Sequence, residues 1–333
     1  MRYSGLLNPS GLLYGFKGPR AGRIVPARQA QRHLSSIMAK TVFITGANSG
    51  VGLAATKLFL SKGWNVAATA RDTSSPALQA LDEGSGSLLV QYLDLSKAQT
   101  FGPAIAGAIG KFGQIDVLVN NAGYGQYGVL EQLDIDAIRD NFEVNVFGSI
   151  GLIKEFIPHM RATSQVESPS RIIYVGSGGG HFGLPLIGPY GASKAAMNIF
   201  MESLVYEMEG VNPPIRVKLV CPHGGISETN FGQTSMQMAG LDKMTPEMKE
   251  RYGAFVERTL QRFGAMRGQS MAASEAAMTI WTAATEDSTK LRYFVGPRDG
   301  RKNLERRMQG GEAGEDADEV DKRYMDGMRG TFL

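Results

Sequence analysis

The chain has 333 residues, 43% of them hydrophobic and 20% charged, the proportions of a soluble globular protein with one large core. A formal charge of +3 is too small to demand a nucleic-acid partner, and no apolar run reaches the length of a membrane span. The single cysteine, Cys221, excludes an internal disulfide, suits a reducing compartment and reads as a small buried side chain closing a strand.

Charge is unevenly spread. No Asp or Glu precedes Asp72, while Arg2, Lys17, Arg20, Arg23, Arg28 and Arg32 lie before Met38, among glycines and prolines that discourage regular structure. Residues 1–38 therefore stand outside the expected fold. Their composition is that of an organelle transit peptide, with Arg32-His33-Leu34 before Ser35-Ser36 resembling a processing site. A disordered tail and a start codon upstream of the natural opening Met38-Ala39-Lys40 are the competing readings. The expected location is cytoplasmic, or mitochondrial if residues 1–38 act as a transit peptide.

Thr41 to Thr45 is a short β-branched run that predicts a buried strand. Gly46-Ala47-Asn48-Ser49-Gly50-Val51-Gly52 follows, and Leu53 to Lys62 predicts a helix ended by Gly63. Strand, glycine-rich turn and helix is the setting of a dinucleotide-binding loop. Gly46 makes the turn, Gly50 admits the pyrophosphate and Gly52 packs helix on strand. A plain turn is the alternative. The second strand, Trp64 to Thr69, ends at Ala70-Arg71-Asp72. An acidic residue at that tip would hold a ribose 2′-hydroxyl, but Ala70 stands there and the Arg71 guanidinium suits a 2′-phosphate. The pattern favours NADP over NAD, with Asp72 as the contrary sign. Trp64 reads as core.

Leu88 to Leu93 is the third strand, and Asp94 at its end is placed to meet an adenine edge. Phe101, Ile105, Ile109 and Phe112 recur at helical spacing, with Pro103 near the helix start. Ile115 to Val119 is the fourth strand and runs into Asn120-Asn121-Ala122-Gly123. Leu133 to Met160 predicts one long helix carrying Asn145, and Arg161 to Ser170 a polar loop. Arg171 to Val175 is the fifth strand, followed by Gly176-Ser177-Gly178-Gly179-Gly180. Strands alternating with helices predict an α/β fold with a doubly wound parallel sheet, a single Rossmann-type αβα sandwich. Ligands of such sheets bind at the carboxyl ends of the strands, where Gly46, Arg71, Asp94 and Asn121 fall.

Tyr190-Gly191-Ala192-Ser193-Lys194 opens a segment rich in helix formers. Tyr190 and Lys194, four positions apart, share a helix face. A fixed cation there favours phenolate, so the spacing predicts a tyrosine pKa below its reference of about 10. Such a group can exchange a proton with an alkoxide. Taken alone, the pair also reads as an exposed aromatic beside a surface lysine.

Ile215 to Val220 is the sixth strand, leading to Pro222-His223-Gly224-Gly225-Ile226-Ser227-Glu228-Thr229. Phe231 to Met248 carries Met236, Met238, Met244 and Met248, read either as soft lining for an apolar ligand or as a packing helix. Arg292 to Gly296 predicts an edge strand, and Gly310 to Asp321 a solvated tail. His181 and His223 lack partners at metal-ligand spacing, so no metal is expected.

Thr45-Gly46-xxx-Gly50-x-Gly52, Asp94, Asn120-Asn121-Ala122-Gly123, Asn145, Ser177 and Tyr190-xxx-Lys194 together resemble the classical short-chain dehydrogenase/reductases, from about Thr41 to Gly296. Val175 to Lys194 looks most like their hydroxysteroid and retinol dehydrogenase-like members. The resemblance implies that Tyr190 is the general acid in reduction and the base in oxidation. It implies that Lys194 holds the nicotinamide ribose and lowers the tyrosine pKa, and that Ser177 hydrogen-bonds the substrate carbonyl. Asn145 would hold a water linking Lys194 to solvent. Gly46, Asn48, Ser49, Gly50, Val51, Gly52, Arg71, Asp94, Leu95, Asn121, Ala122, Gly123, Tyr190, Lys194, Ile226 and Thr229 would contact the cofactor.

One departure stands out. The family usually shows Pro-Gly and then a threonine after the sixth strand, whereas here His223 follows Pro222 and Glu228 precedes Thr229. The expectation is an NADP(H)-dependent oxidoreductase interconverting a secondary alcohol and a ketone or aldehyde, its substrate apolar and medium-sized. The resemblance also implies a homodimer or homotetramer packed through the Asn145 and Tyr190 helices. Residues 39–298 would form the catalytic domain and 299–333 a charged extension. The competing class is a regulator that senses NADP without chemistry; the intact Tyr190–Lys194 pair, Ser177 and Asn145 favour the enzyme.

Overall fold

Seven apolar runs become strands: β1 (Thr41–Thr45), β2 (Asn65–Ala70), β3 (Leu88–Tyr92), β4 (Val117–Asn120), β5 (Arg171–Val175), β6 (Arg216–Pro222) and β7 (Arg292–Val295). They form one sheet in the order β3-β2-β1-β4-β5-β6-β7, every pair parallel. The computed structural model describes residues 39–82, 84–227, 229, 231–267, 270–297 and 317–332. The basic segment 1–38, Glu228, Arg298 and residues 299–316 of the charged extension lie outside the described residues. Among the described residues, no helix is long and apolar enough to cross a membrane.

The helices are α1 (Gly50–Ser61), a one-turn α2 (Pro76–Gln79), α3 (Phe101–Phe112), α4 (Ile135–Phe142), α5 (Ser149–Thr163), α6 (Gly188–Glu209), α7 (Phe231–Met238), α8 (Pro246–Arg267), α9 (Ala273–Thr285) and α10 (Ala317–Phe332). Side chains alternate across each strand, and both faces are apolar because both are covered. Phe43, Leu118, Ile172, Tyr174 and Leu219 pack on one side with Phe101, Ile105, Phe156, Met197 and Met201 of α3, α5 and α6. Val42, Ile44, Val66, Val119, Ile173 and Val220 pack on the other side with Ala55, Phe59, Ala276 and Ile280 of α1 and α9. Each such fully buried aliphatic contributes roughly 1.5–3 kcal/mol. Trp64 is core, set edge-on to Phe59 and Trp281 at 5.2 and 5.6 Å. A third cluster of Val129, Leu186, Met244 and Val256 joins the segment after β4 to α8.

Several elements differ from the sequence-based expectation. The first helix begins at Gly50, so the second and third loop glycines lie in its first turn rather than ahead of it. The expected long helix is two α-helices joined by a π-helical turn, Glu143–Gly148, with Asn145 inside it. Apolar periodicity continues through that turn and hides it. Part of the expected tail is helical: Ala317–Phe332 forms α10, its charges spaced around a helix rather than running through coil.

Candidate active site

The chain order reverses between β1 and β4, and the loops leaving these strands are bound together there. Thr45 Oγ1 accepts hydrogen bonds from the peptide N–H of Asn121 and of Ala122, both at 2.9 Å. The Asn121 amide donates back to the Thr45 carbonyl at 2.9 Å and to the Gly46 carbonyl at 3.4 Å. Asn121, expected to contact the cofactor, thus has its amide spent on shaping the glycine loop.

That loop fits a dinucleotide. A Cβ at Gly52 would lie 2.1 Å from the Gly46 carbonyl oxygen, so the turn closes only around glycine. Gly50 has φ +51°, and a Cβ there would come within 3.0 Å of Thr229 Cγ2, so Thr229 lies against the loop. Ser49 makes no side-chain cap and the first turn of α1 has no acidic residue, so its N–H groups and dipole suit an anion.

The far side is electropositive. Arg71 follows β2, and its charge is felt by both Asp94 and Tyr124. Burial alone would raise the Asp94 carboxyl, but hydrogen bonds from Ser96, with Arg71 and Lys97 nearby, hold it below the usual carboxylate range. Asp72, the contrary sign in the sequence, accepts from the Ser74 N–H at 2.9 Å and the Ser74 hydroxyl at 2.6 Å, and so is engaged in its own turn. Leu95 is 4% exposed and packs in the core cluster with Val146 of the π-turn.

Helix α6 carries Tyr190 and Lys194. Pro189 stands in its first turn, and Tyr190, Lys194, Met197, Met201 and Leu204 form its buried stripe. Ser177, at the end of β5, stands beside the Tyr190 phenol and favours its ionised form, and its hydroxyl accepts from the Gly179 N–H at 3.1 Å. Tyr127 and Phe231 flank the Tyr190 ring, with centroids at 6.1 and 5.4 Å. Leu186 lies in the left-handed region at φ 63°, a cost of about 1–2 kcal/mol for a side-chain-bearing residue. Its carbonyl accepts from the Gly128 N–H at 2.8 Å, tying the loop before α6 to the segment after β4.

The lysine is where the geometry departs from expectation. Lys194 Nζ donates to Tyr174 Oη at 3.0 Å and to the Val175 carbonyl at 2.9 Å. Burial pushes Tyr190 up to about 12, relieved in part by Ser177, so it is not held below its ordinary value. Burial also brings Lys194 down to about 7. The spacing does place the two side chains on one face, but desolvation outweighs their mutual effect.

Asn145 differs too. Its amide nitrogen donates to the Tyr124 carbonyl at 2.9 Å and to Ser193 Oγ at 3.0 Å, while its oxygen accepts from the Tyr124 N–H at 3.1 Å. The side chain therefore fixes the loop after β4 to α6. Its peptide carbonyl accepts from the Tyr174 hydroxyl at 3.3 Å. Tyr174, Tyr124 and Ser193 were not legible as site residues. Ser193 alone left a trace, three positions after Tyr190 on the same face.

Past β6, the His223 N–H donates to the Val295 carbonyl at 2.9 Å, so the unusual residue extends the pairing with β7. Ile226 bridges Met271, and the Ser227 N–H donates to the Met271 carbonyl at 2.8 Å, which anchors the chain toward Thr229. His181 faces Cys221, Asn198 and Phe294, and burial brings it down to about 4, so it is a neutral packing group. Among the described residues, no group of three or more His, Cys, Asp or Glu is placed to hold a metal ion.

Comparison with known proteins agrees with this geometry. The model of the short chain dehydrogenase family matches residues 40–239. Oxidoreductase BOA17 of Botryotinia fuckeliana is 30% identical over 264 residues, covering 78% of this chain and 90% of that protein. The NADPH-dependent 3-dehydrocapnine reductase of Ornithobacterium rhinotracheale is 28% identical over 269 residues, covering 77% of this chain and 87% of its own. A short chain dehydrogenase/reductase from Burkholderia phymatum, solved in complex with NAD, superposes with a TM-score of 0.69 at 23% identity, covering 84% and 96% of the two chains.

Proposed function

The chain belongs to the short-chain dehydrogenase family, and on that premise we propose that it is an NADP(H)-dependent oxidoreductase interconverting an alcohol and its ketone or aldehyde. The observation that carries this reading is the placing of Ser177 beside the buried Tyr190 phenol, at the carboxyl ends of the strands. When bound, the nicotinamide supplies or takes up the hydride. In reduction Tyr190 gives its proton to the developing alkoxide, and a phenol pushed up to about 12 stays protonated through the neutral range. Ser177 donates to the same oxygen and stabilises its charge. Lys194 holds the nicotinamide ribose, and Asn145 fixes the loop beside it. The first turn of α1 receives the pyrophosphate and Arg71 the 2′-phosphate, with Asp72 turned into its own loop. A relative named as NADPH-dependent supports that preference.

The walls favour an apolar, medium-sized substrate: Tyr127 and Phe231 flank the tyrosine, and Leu186 packs with Met244 nearby. For assembly we favour a homodimer or homotetramer. Ala192, Ala196, Ile199, Ser203 and Tyr206 form an exposed stripe along α6, with Ile199 at 69% and Tyr206 at 75% exposure, and Phe147 of the π-turn is 59% exposed.

The test is to titrate purified protein with NADPH and NADH and to assay a carbonyl panel beside Tyr190→Phe. The expected result is NADPH-driven turnover that falls by about 10²–10⁴-fold in the variant while NADPH binding persists. Tight binding with no turnover on any carbonyl would point instead to an NADP-sensing regulator. A preference for NADH would overturn the role given to Arg71.

A further inference from the structure

Among the polar side chains of the core that the mechanism above leaves unused is a tyrosine. Tyr174, on β5, is completely buried, yet its hydroxyl has partners on two other elements. It accepts from Lys194 Nζ at 3.0 Å and donates to the Asn145 peptide carbonyl at 3.3 Å. Lys194 Nζ also lies 4.6 Å from the centre of the Tyr174 ring, close enough for a cation–π contact. An ammonium has three protons to donate. Tyr174 and the Val175 carbonyl take two of them, which fixes the direction of the third.

We propose that Tyr174 is a positioning residue of the reaction: it aims the Lys194 ammonium and occupies the Asn145 peptide carbonyl, so that the hydrogen-bond chain from Lys194 ends inside the protein. The resemblance implies a water held by Asn145 that continues this chain to solvent; here a phenol fixed to β5 fills the link. A phenol can accept from the ammonium and donate to a carbonyl, but that carbonyl takes no proton at neutral pH. Burial supports the point, because it pushes the Tyr174 phenol well above its ordinary range and keeps it neutral. The π-turn is part of the arrangement, since it carries the carbonyl that Tyr174 reaches from β5. The inference rests on the proposed reductase site, and its test is read on the lysine itself.

Lys194 is titrated by the 13Cε resonance of labelled lysine, assigned with Lys194→Met, in wild type and in Tyr174→Phe. The titratable groups facing the ammonium are Tyr190 on its own helix, Tyr174 on β5 and Cys221 on β6, and only Tyr174 changes. A hydrogen bond to the charged form raises a lysine pKa, so its removal lowers the midpoint, by about one pH unit for a bond to a charged group. In the reductase assay the alkaline limb of kcat moves down by the same interval and kcat near neutrality falls about tenfold, with substrate KM within about twofold. An unmoved lysine midpoint, or a loss of kcat that only follows the folded fraction, overturns the proposal. If the phenyl variant does not fold, Tyr174→Met fills the same space with a flexible apolar chain and is read in the same way. If no carbonyl is turned over by wild type, the reductase reading fails, while the resonance still decides the role of Tyr174.

Discussion

Among the described residues two lysines are buried, one at each side of the functional divide, and their surroundings are nearly the same. Lys194 donates to a tyrosine hydroxyl and a peptide carbonyl, lies against the tyrosine ring and is brought down to about 7 by burial. Lys218, on β6, donates to the carbonyls of Ser288 and Lys290 and to the Tyr293 hydroxyl, lies 5.5 Å from that ring and is brought down to about 8 by burial. The difference is position. Lys194 stands beside Ser177 and Tyr190 where the strands end, whereas Lys218 fastens the chain entering β7 to β6. A perturbed lysine therefore marks a site only when its neighbours offer something to react with.

Exchange of each lysine for methionine tests that contrast. The largest effect is expected for Lys194→Met, with kcat/KM lower by at least about 10²-fold, since a positioned cation next to the proton donor is lost. Its stability should also fall, by about 1–3 kcal/mol, because the Tyr174 hydroxyl and the Val175 carbonyl lose their donor, so the activity is read per folded molecule. An active Lys194→Met would break the comparison at its first term.

Lys218→Met should cost stability alone. It leaves two carbonyls and a phenol without their donor and is expected to cost about 1–3 kcal/mol in urea unfolding, with activity per folded molecule unchanged. A fall in kcat out of proportion to unfolding would give the second lysine a part in the chemistry.

The smallest effect concerns pH. Both lysines have folded values below the unfolded one of about 10.4. Between about pH 7 or 8 and that value the unfolded chain holds more protons, so each contributes a stability that rises with pH; the penalty is complete below the folded value. The melting temperature of wild type relative to Lys218→Met should accordingly climb between pH 7 and pH 10, in scans at fixed ionic strength. A flat difference would mean that Lys218 keeps its proton in the folded state throughout.

Much of this was legible in the chain itself. β5 runs from Arg171 to Val175 as its β-branched composition predicts, and the parallel pairing follows from the alternation of strands with helices. Tyr190 and Lys194 lie on the buried face of one helix as their spacing requires, and Ser177 stands at the end of β5. What failed to show was polar function inside apolar pattern. Tyr174 alternates with Ile172 and Ile173 as any core residue would, and the π-turn at Asn145 leaves the apolar repeat unbroken. The sign of the tyrosine shift was misjudged for a related reason. Sequence spacing displays the neighbouring charge but not the depth of burial, and here depth dominates.

Cys221 carries a practical consequence. It is the one cysteine of the chain, it is fully buried, and burial pushes its thiol up to about 12. Thiolate is the reactive form, so this sulfur presents almost nothing to a maleimide or an oxidant while the fold holds. The molecule thus comes with a silent background for site-specific attachment. A cysteine placed at the exposed Tyr206 would take a spin label or dye alone, and would report on α6 against a second copy without any other thiol having to be removed.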